Sequence, residues 1–368
     1  MQWLELPQIK WAVPIPLLLA LGPVVWLFFR RTWRQLDDEA LAYRRALHER
    51  GEVDYRPLLA LTLAALVLTL QEYYGRAEFY DRAVRAFLLR REHAAPGGLI
   101  DVGGYDELYM RGWWALTRVG GYLLPFAVWP IFFRKDSLLD FGLRPRGFRE
   151  HAWIYALCVV VMVPVLLLVS RQPDFTTYYP IYKIAGRSWL DFFIWELIYA
   201  AQFLGLEIFF RGWWIRATRV FGVGAIWSMA VPYCMVHYGK PYLEACMAVV
   251  AGVVLGSLSM RTRSIYAGFL VHCTVAVLMD VLALDKRGAL PALLVPSGTR
   301  RIAFLYWHAL IWIAWALALA VLAVKVWRER ARIRAVLLPK FQRAIRRDVE
   351  PDVEPDVEPE IRPQIRPH

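Results

Sequence analysis

The chain has 368 residues, 58% of them hydrophobic, with a formal charge of +12 and a mean hydropathy of +0.36. Soluble globular proteins are usually about 45–50% apolar, so this composition excludes an ordinary soluble domain and predicts an all-α, polytopic membrane helix bundle. The basic excess does not predict a nucleic-acid partner, because the arginines cluster at the ends of apolar segments, where membrane topology places them.

Taken in chain order, the apolar segments are 12–29, 57–74, 113–133, 152–170, 190–210, 221–237, 244–260, 264–284 and 303–324. Most have the ~17–25 residues that a helix needs to cross hydrocarbon, and about eight to nine transmembrane helices are expected. The first has Lys10 before it, Arg30 and Arg31 after it, and no small-residue cleavage site. It reads as an uncleaved span. The second is weaker, since its purely apolar run covers only 57–70. Residues 1–111 form an N-terminal region of spans and charged helix, within which 30–54 is helical and 92–106, with Pro96-Gly97-Gly98 and Gly103-Gly104, reads as a loop. Residues 112–324 are the membrane core.

Nine crossings put the Arg-rich stretches 30–50, 134–149, 216–219 and 261–263 on one side together with the tail. By the positive-inside rule that side is cytoplasmic, which predicts an integral protein of a bacterial cytoplasmic (inner) membrane with its C-terminus inside. Residues 76–111, also Arg-rich, fall on the other side. Beyond the core, 325–347 reads as a basic juxtamembrane helix attracted to anionic lipid. Residues 348–368 repeat Asp-Val-Glu-Pro and related tetrads, and proline at every fourth position removes helical donors and predicts a disordered tail. Cys158, Cys234, Cys246 and Cys273 all lie in apolar segments without metal-ligand or redox spacing.

Chemistry-bearing residues concentrate in 190–284. Glu207 and Arg211 are four apart and share a helix face, with Glu196 three turns earlier nearly in line. Ionisable residues inside a span cost about 2.5–3.5 kcal/mol on insertion scales and tend to face a cavity and carry function. The next segment brings Tyr233 and His237, one turn apart after Pro232. The following one contains Glu244 and then Gly252-Val-Val-Leu-Gly256, a spacing that lets helices approach closely. The last brings His272 and Asp280. A glutamate and two histidines on neighbouring helices are suited to activating water, with a further polar group stabilising an oxyanion. The same three residues form a zinc ligand set, although no HExxH helix is present.

These residues resemble, in order and spacing, the three motifs of the CAAX-protease and bacteriocin-processing family of intramembrane glutamic endopeptidases. The family pattern is a double glutamate with an arginine four residues after the second, an aromatic-x-x-x-His, and a His-x-x-x-Asn or Asp. Here they stand as Glu207-Ile-Phe-Phe-Arg211, Tyr233-x-x-x-His237 and His272. The resemblance implies a cofactor-independent endopeptidase acting on a membrane protein or peptide, cutting near a membrane segment or a lipidated C-terminus. Glu207 and His237 would activate water, His272 would support the oxyanion, and Arg211 and Tyr233 would assist. The chain departs from the pattern twice: Leu206 stands where the first glutamate is expected, and Ala276 where the Asn or Asp is expected. Glu196, Glu244 and Asp280 are the carboxylates available to replace the missing groups, Asp280 lying about 80° round the helix from His272. The competing expectation is a non-catalytic relative, in which the charges hold the helices together and the protein binds or scaffolds a partner.

Overall fold

The computed structural model describes residues 14–290, apart from Pro96, Gly97, Pro145, Pro173, Asp174 and Pro241, together with residues 12, 316, 320 and 324. The basic helix expected at 325–347, the repeat tail at 348–368 and nearly all of the span expected at 303–324 lie outside the described residues. All the helices below belong to one compact unit.

The described chain is helical. In order the helices are α1 (Pro14–Glu49), α2 (Arg56–Tyr74), α3 (Ala86–Ala94, entered through a wide turn at Tyr80–Arg85), α4 (Val102–Phe132), α5 (Arg146–Val169), α6 (Trp189–Glu207), α7 (Gly224–Met235), α8 (Tyr242–Thr262) and α9 (Tyr266–Lys286). Among the described residues, six helices are long and apolar enough to cross a membrane: α1, α2, α4, α6 with its extension to Ala217, α8 and α9. This is a polytopic helical membrane bundle, and the protein is integral to a membrane.

Two elements differ from the sequence reading. The segment at 221–237 yields only the 12-residue α7, preceded by Gly222 with φ of 62°. At ~1.5 Å per residue, α7 reaches about 18 Å, and His237 falls in the turn after it. The loop read at 92–106 is shorter than expected, because the Asp101 side chain accepts the Gly104 N–H at 2.8 Å and starts α4 at Val102. An Asx cap of this kind supplies an acceptor to the otherwise orphaned first-turn donors, which brings Gly103 and Gly104 into the helix.

Helix α6 occupies the centre, packed between α4 and α9, while α7 pairs with α8 and α1 with α8. Its aromatic run Phe209, Phe210, Trp213 and Trp214 is buried in one cluster with Trp129 of α4 and Met229 and Tyr233 of α7. The small-residue spacing in α8 does what the sequence suggested. A Cβ on Gly252 would lie 3.3 Å from the Ala230 backbone and 3.1 Å from the Tyr233 ring, and one on Gly256 2.9 Å from Met229. The bare glycine faces therefore let α7 sit close enough to seat Tyr233. At one end of the bundle the Arg-rich stretches meet, with Arg44 bonded to the Val220 carbonyl at 2.7 Å and Arg56 to Asp136 at 2.7 Å. The 76–111 stretch sits at the other end, where Arg187 reaches the Gly104 carbonyl at 2.7 Å.

Candidate active site

Glu207 is the last residue of regular α6, and the chain continues through a wide π turn over Ile208–Trp214. A π turn displaces carbonyls from their usual i→i+4 partners and recurs at functional sites. The displaced groups are picked up from the side. The Arg211 carbonyl accepts from Ser259 Oγ of α8 at 2.9 Å and from Arg216 Nη1 at 2.7 Å, and the Gly212 carbonyl from the same Arg216 nitrogen at 3.2 Å. These bonds fix the turn that aims Arg211 back at Glu207.

Both side chains of that pair are enclosed, at 1% exposure for Glu207 and 0% for Arg211. Glu207 Oε1 lies 3.2 Å from Arg211 Nη1 and 2.9 Å from His272 Nδ1 of α9. The groups are close in charge but poorly aligned for hydrogen bonding, so both Glu207 oxygens, His272 Nδ1 and all three guanidinium nitrogens make no hydrogen bond. Attraction and ring contact hold them instead: Arg211 Cζ sits 3.8 Å from the centroid of the Tyr233 ring, a cation–π geometry. Gly268 of α9 makes room for the carboxylate, since a Cβ there would come within 2.5 Å of Glu207 Oε2.

His272 faces the Glu207 carboxylate through Nδ1, in ion-pair range but out of hydrogen-bond alignment, and Tyr233 through its other nitrogen. Its Nε2 is 3.0 Å from the Tyr233 hydroxyl, and its ring stacks on Phe203 with centroids 5.1 Å apart. His237 reaches the group through the backbone, with Nδ1 2.7 Å from the Tyr233 carbonyl. Tautomers follow from these partners. A ring nitrogen facing a carbonyl or a carboxylate carries the proton, so neutral His237 presents a bare Nε2, and neutral His272 uses Nε2 to accept the Tyr233 O–H. Tyr233 thus joins Arg211, His237 and His272.

The other carboxylates lie elsewhere. Asp280 accepts from Trp195 Nε1 of α6 at 2.7 Å, about two helical turns along α9 from His272. Glu196 is half-buried near Asp280, with Oε1 buried and unpartnered. Glu244 is held by Lys240 at 2.8 Å and by the Tyr179 hydroxyl at 2.8 Å. None of the three touches Glu207, His237 or His272. Leu206 and Ala276 are buried among apolar side chains. No three His, Cys, Asp or Glu side chains among the described residues converge as a metal's ligands, and Glu207, His237 and His272 form a line through Tyr233, not a cage.

Ser259, Arg216, Gly268 and Phe203 support the site without having been anticipated. Their roles arise from the π turn and from helix approach, and only the glycine could be suspected from its residue type.

The helical membrane bundle thus holds a buried carboxylate–arginine pair against His272 of α9, with His237 in the turn after α7 joined to them through Tyr233. Residues 187–278 match the family described as Type II CAAX prenyl endopeptidase Rce1-like, and this stretch carries the residues that resemble the motifs of the CAAX-protease and bacteriocin-processing family. At the level of that family, the match supports a CAAX-type intramembrane protease. No curated protein and no solved structure matches the chain.

Proposed function

We propose that this chain is an intramembrane endopeptidase in which His272, oriented by Glu207, activates the attacking water. The observation that carries the reading is the 2.9 Å approach of Glu207 Oε1 to His272 Nδ1. An enclosed carboxylate cannot itself meet water, but behind an imidazole it fixes the tautomer and stabilises the imidazolium that forms when Nε2 takes a proton. Substrate entry would exchange the Tyr233 hydroxyl at Nε2 for a water, whose second hydrogen points to the bare Nε2 of His237. The water oxygen bonds to the scissile carbonyl carbon as its proton passes to His272. The released Tyr233 O–H donates to the oxyanion, and His272 then returns the proton to the leaving amine as the C–N bond breaks. Glu207 thus acts through His272, whereas the sequence reading gave it the base role directly.

The substrate class is a membrane protein or peptide cut near its membrane segment or at a lipidated C-terminus. The same reading puts the Arg-rich end of the bundle and the C-terminus in the bacterial cytoplasm by the positive-inside rule, with the basic tail on anionic lipid.

The second reading, a non-catalytic relative, is favoured by one observation: both positions where the family pattern has a further polar group, Leu206 and Ala276, are buried in apolar clusters. The two separate in one experiment. The reconstituted protein is incubated with a panel of lipidated and membrane-anchored peptides, and cleavage is compared with His272→Ala and His237→Ala at equal folded amounts. The enzyme reading expects a loss of about 100-fold or more in each, in line with general-base contributions of ~10²–10⁴. Cleavage equal to the parent in His272→Ala overturns the mechanism. No cleavage by the parent across the panel, with a peptide retained on the protein, favours the binding reading.

A further inference from the structure

The Arg-rich end of the bundle contains a cavity of about 1270 Å³ that the proposed hydrolytic site does not use. It is lined by nine basic side chains and three acidic ones. Three of the cations are already neutralised: Arg56 by Asp136, Arg144 by Asp140 and Arg263 by Glu39. Among the described residues, none of the remaining six is in a salt bridge with a carboxylate. Arg30 and Arg31 come from α1, Lys135 from the turn after α4, Arg216 and Arg219 from the extension of α6, and Arg261 from the end of α8. Cations from the middle of α1 and from three helix ends face one space, and each raises the cost of bringing in the next unless an anion offsets them.

The wall on the α1 side is of a different kind. Leu27 and Phe28 line the cavity and are 56% and 41% exposed, and above them Val24 and Leu19 face outward at 59% and 72%. In a membrane-spanning helix this outward stripe is covered by lipid chains, so the cavity opens where acyl chains meet headgroups. A ligand that suits both parts has a phosphate-bearing head for the cations and an alkyl tail that lies along α1.

We propose that this cavity is a binding site for an anionic phospholipid, with the headgroup phosphate among Arg30, Arg31, Lys135 and Arg261 and the acyl chains along the outer face of α1. Guanidinium groups pair with phosphate in bidentate fashion, and each Lys or Arg near an anionic lipid surface contributes about 1 kcal/mol. Arg216 also lines the cavity, but its nitrogens hold the Arg211 and Gly212 carbonyls, so it is left unaltered in the test.

The experiment uses full-length protein released from membranes into mild detergent, with bound lipid counted by native mass spectrometry during titration with a short-chain anionic phospholipid, a matched zwitterionic one, or inorganic phosphate. The parent protein is expected to retain one anionic lipid that the zwitterionic lipid and millimolar phosphate do not displace. The triple variant Arg31→Ala/Lys135→Ala/Arg261→Ala is expected to bind that lipid about 100-fold more weakly, while Arg90→Ala/Arg91→Ala, on α3 at the other end of the bundle, binds as the parent does. Equal retention in the triple variant, equal loss in the α3 variant, or displacement by inorganic phosphate each overturns the assignment. The readout is independent of hydrolysis, so its failure leaves the peptidase reading standing, and the reverse also holds.

Discussion

Replacing Glu207 by Gln tests the centre of the structure on its own terms. The substitution keeps shape and removes one charge, leaving Arg211 at 0% exposure with no hydrogen bond from any of its three side-chain nitrogens. What remains to it is the face of Tyr233 at 3.8 Å, worth about 2 kcal/mol when desolvated. Breaking a buried pair by removing one partner costs about 3–5 kcal/mol, a large share of the ~5–15 kcal/mol that holds a typical domain. Glu207→Gln is therefore expected to lose about 3–5 kcal/mol in reversible denaturant unfolding in mixed micelles. The double variant Glu207→Gln/Arg211→Met, which removes the stranded charge, should recover most of it, because a buried pair exchanged for apolar groups is often near neutral. Stability and chemistry then part: the double variant folds yet does not cleave, since His272 has lost its carboxylate. A single variant within about 0.5 kcal/mol of the parent would refute the reasoning, as would a double variant less stable than the single one.

Two further substitutions probe the supports. Gly268→Ala places a methyl 2.5 Å from Glu207 Oε2, and overpacking of a tight site costs about 1–3 kcal/mol. It should lower stability by that amount and reduce turnover by pushing the carboxylate off His272, and unchanged values for both would show that α9 has slack here. Trp195→Phe strips Asp280 of its 2.7 Å donor in a buried setting, at a cost of about 1–3 kcal/mol. Cleavage per folded molecule should be unchanged, whereas a selective loss of turnover at full stability would return Asp280 to the catalytic group.

What could be read from the chain and what could not divide along a physical line. Membrane class and helix positions follow from hydropathy, and the approach of α7 to α8 follows from Gly252 and Gly256, because both depend on local residue type. The joining of Glu207, Arg211, Tyr233, His237 and His272 was legible from spacing at one helical turn and from their order on successive segments. The π turn was not, since a single widened turn is chosen by the packing of Phe209, Phe210, Trp213 and Trp214 against other helices and has no signature in its own sequence. For the same reason the carbonyl contacts of Ser259 and Arg216 were invisible. Asp280 and Glu244 illustrate the opposite failure: as carboxylates in an apolar region they qualified for the site, but a carboxylate also serves wherever a Trp N–H, a Tyr O–H or a lysine needs an acceptor.

The position of Leu206 makes the case for catalysis through an imidazole. A motif with two carboxylates can divide its tasks, one neutralising the arginine and the other meeting water. In this chain a single oxygen, Glu207 Oε1, faces both Arg211 and His272, while Leu206 turns into the aromatic cluster. Enclosing Glu207 keeps Arg211 neutralised in a medium where an unpaired charge is costly, and it also removes the carboxylate from water. In the proposed hydrolysis the proton therefore passes through a group that faces both the carboxylate and the outside, the part assigned to His272, whose Nδ1 faces Glu207 and whose Nε2 meets the Tyr233 hydroxyl.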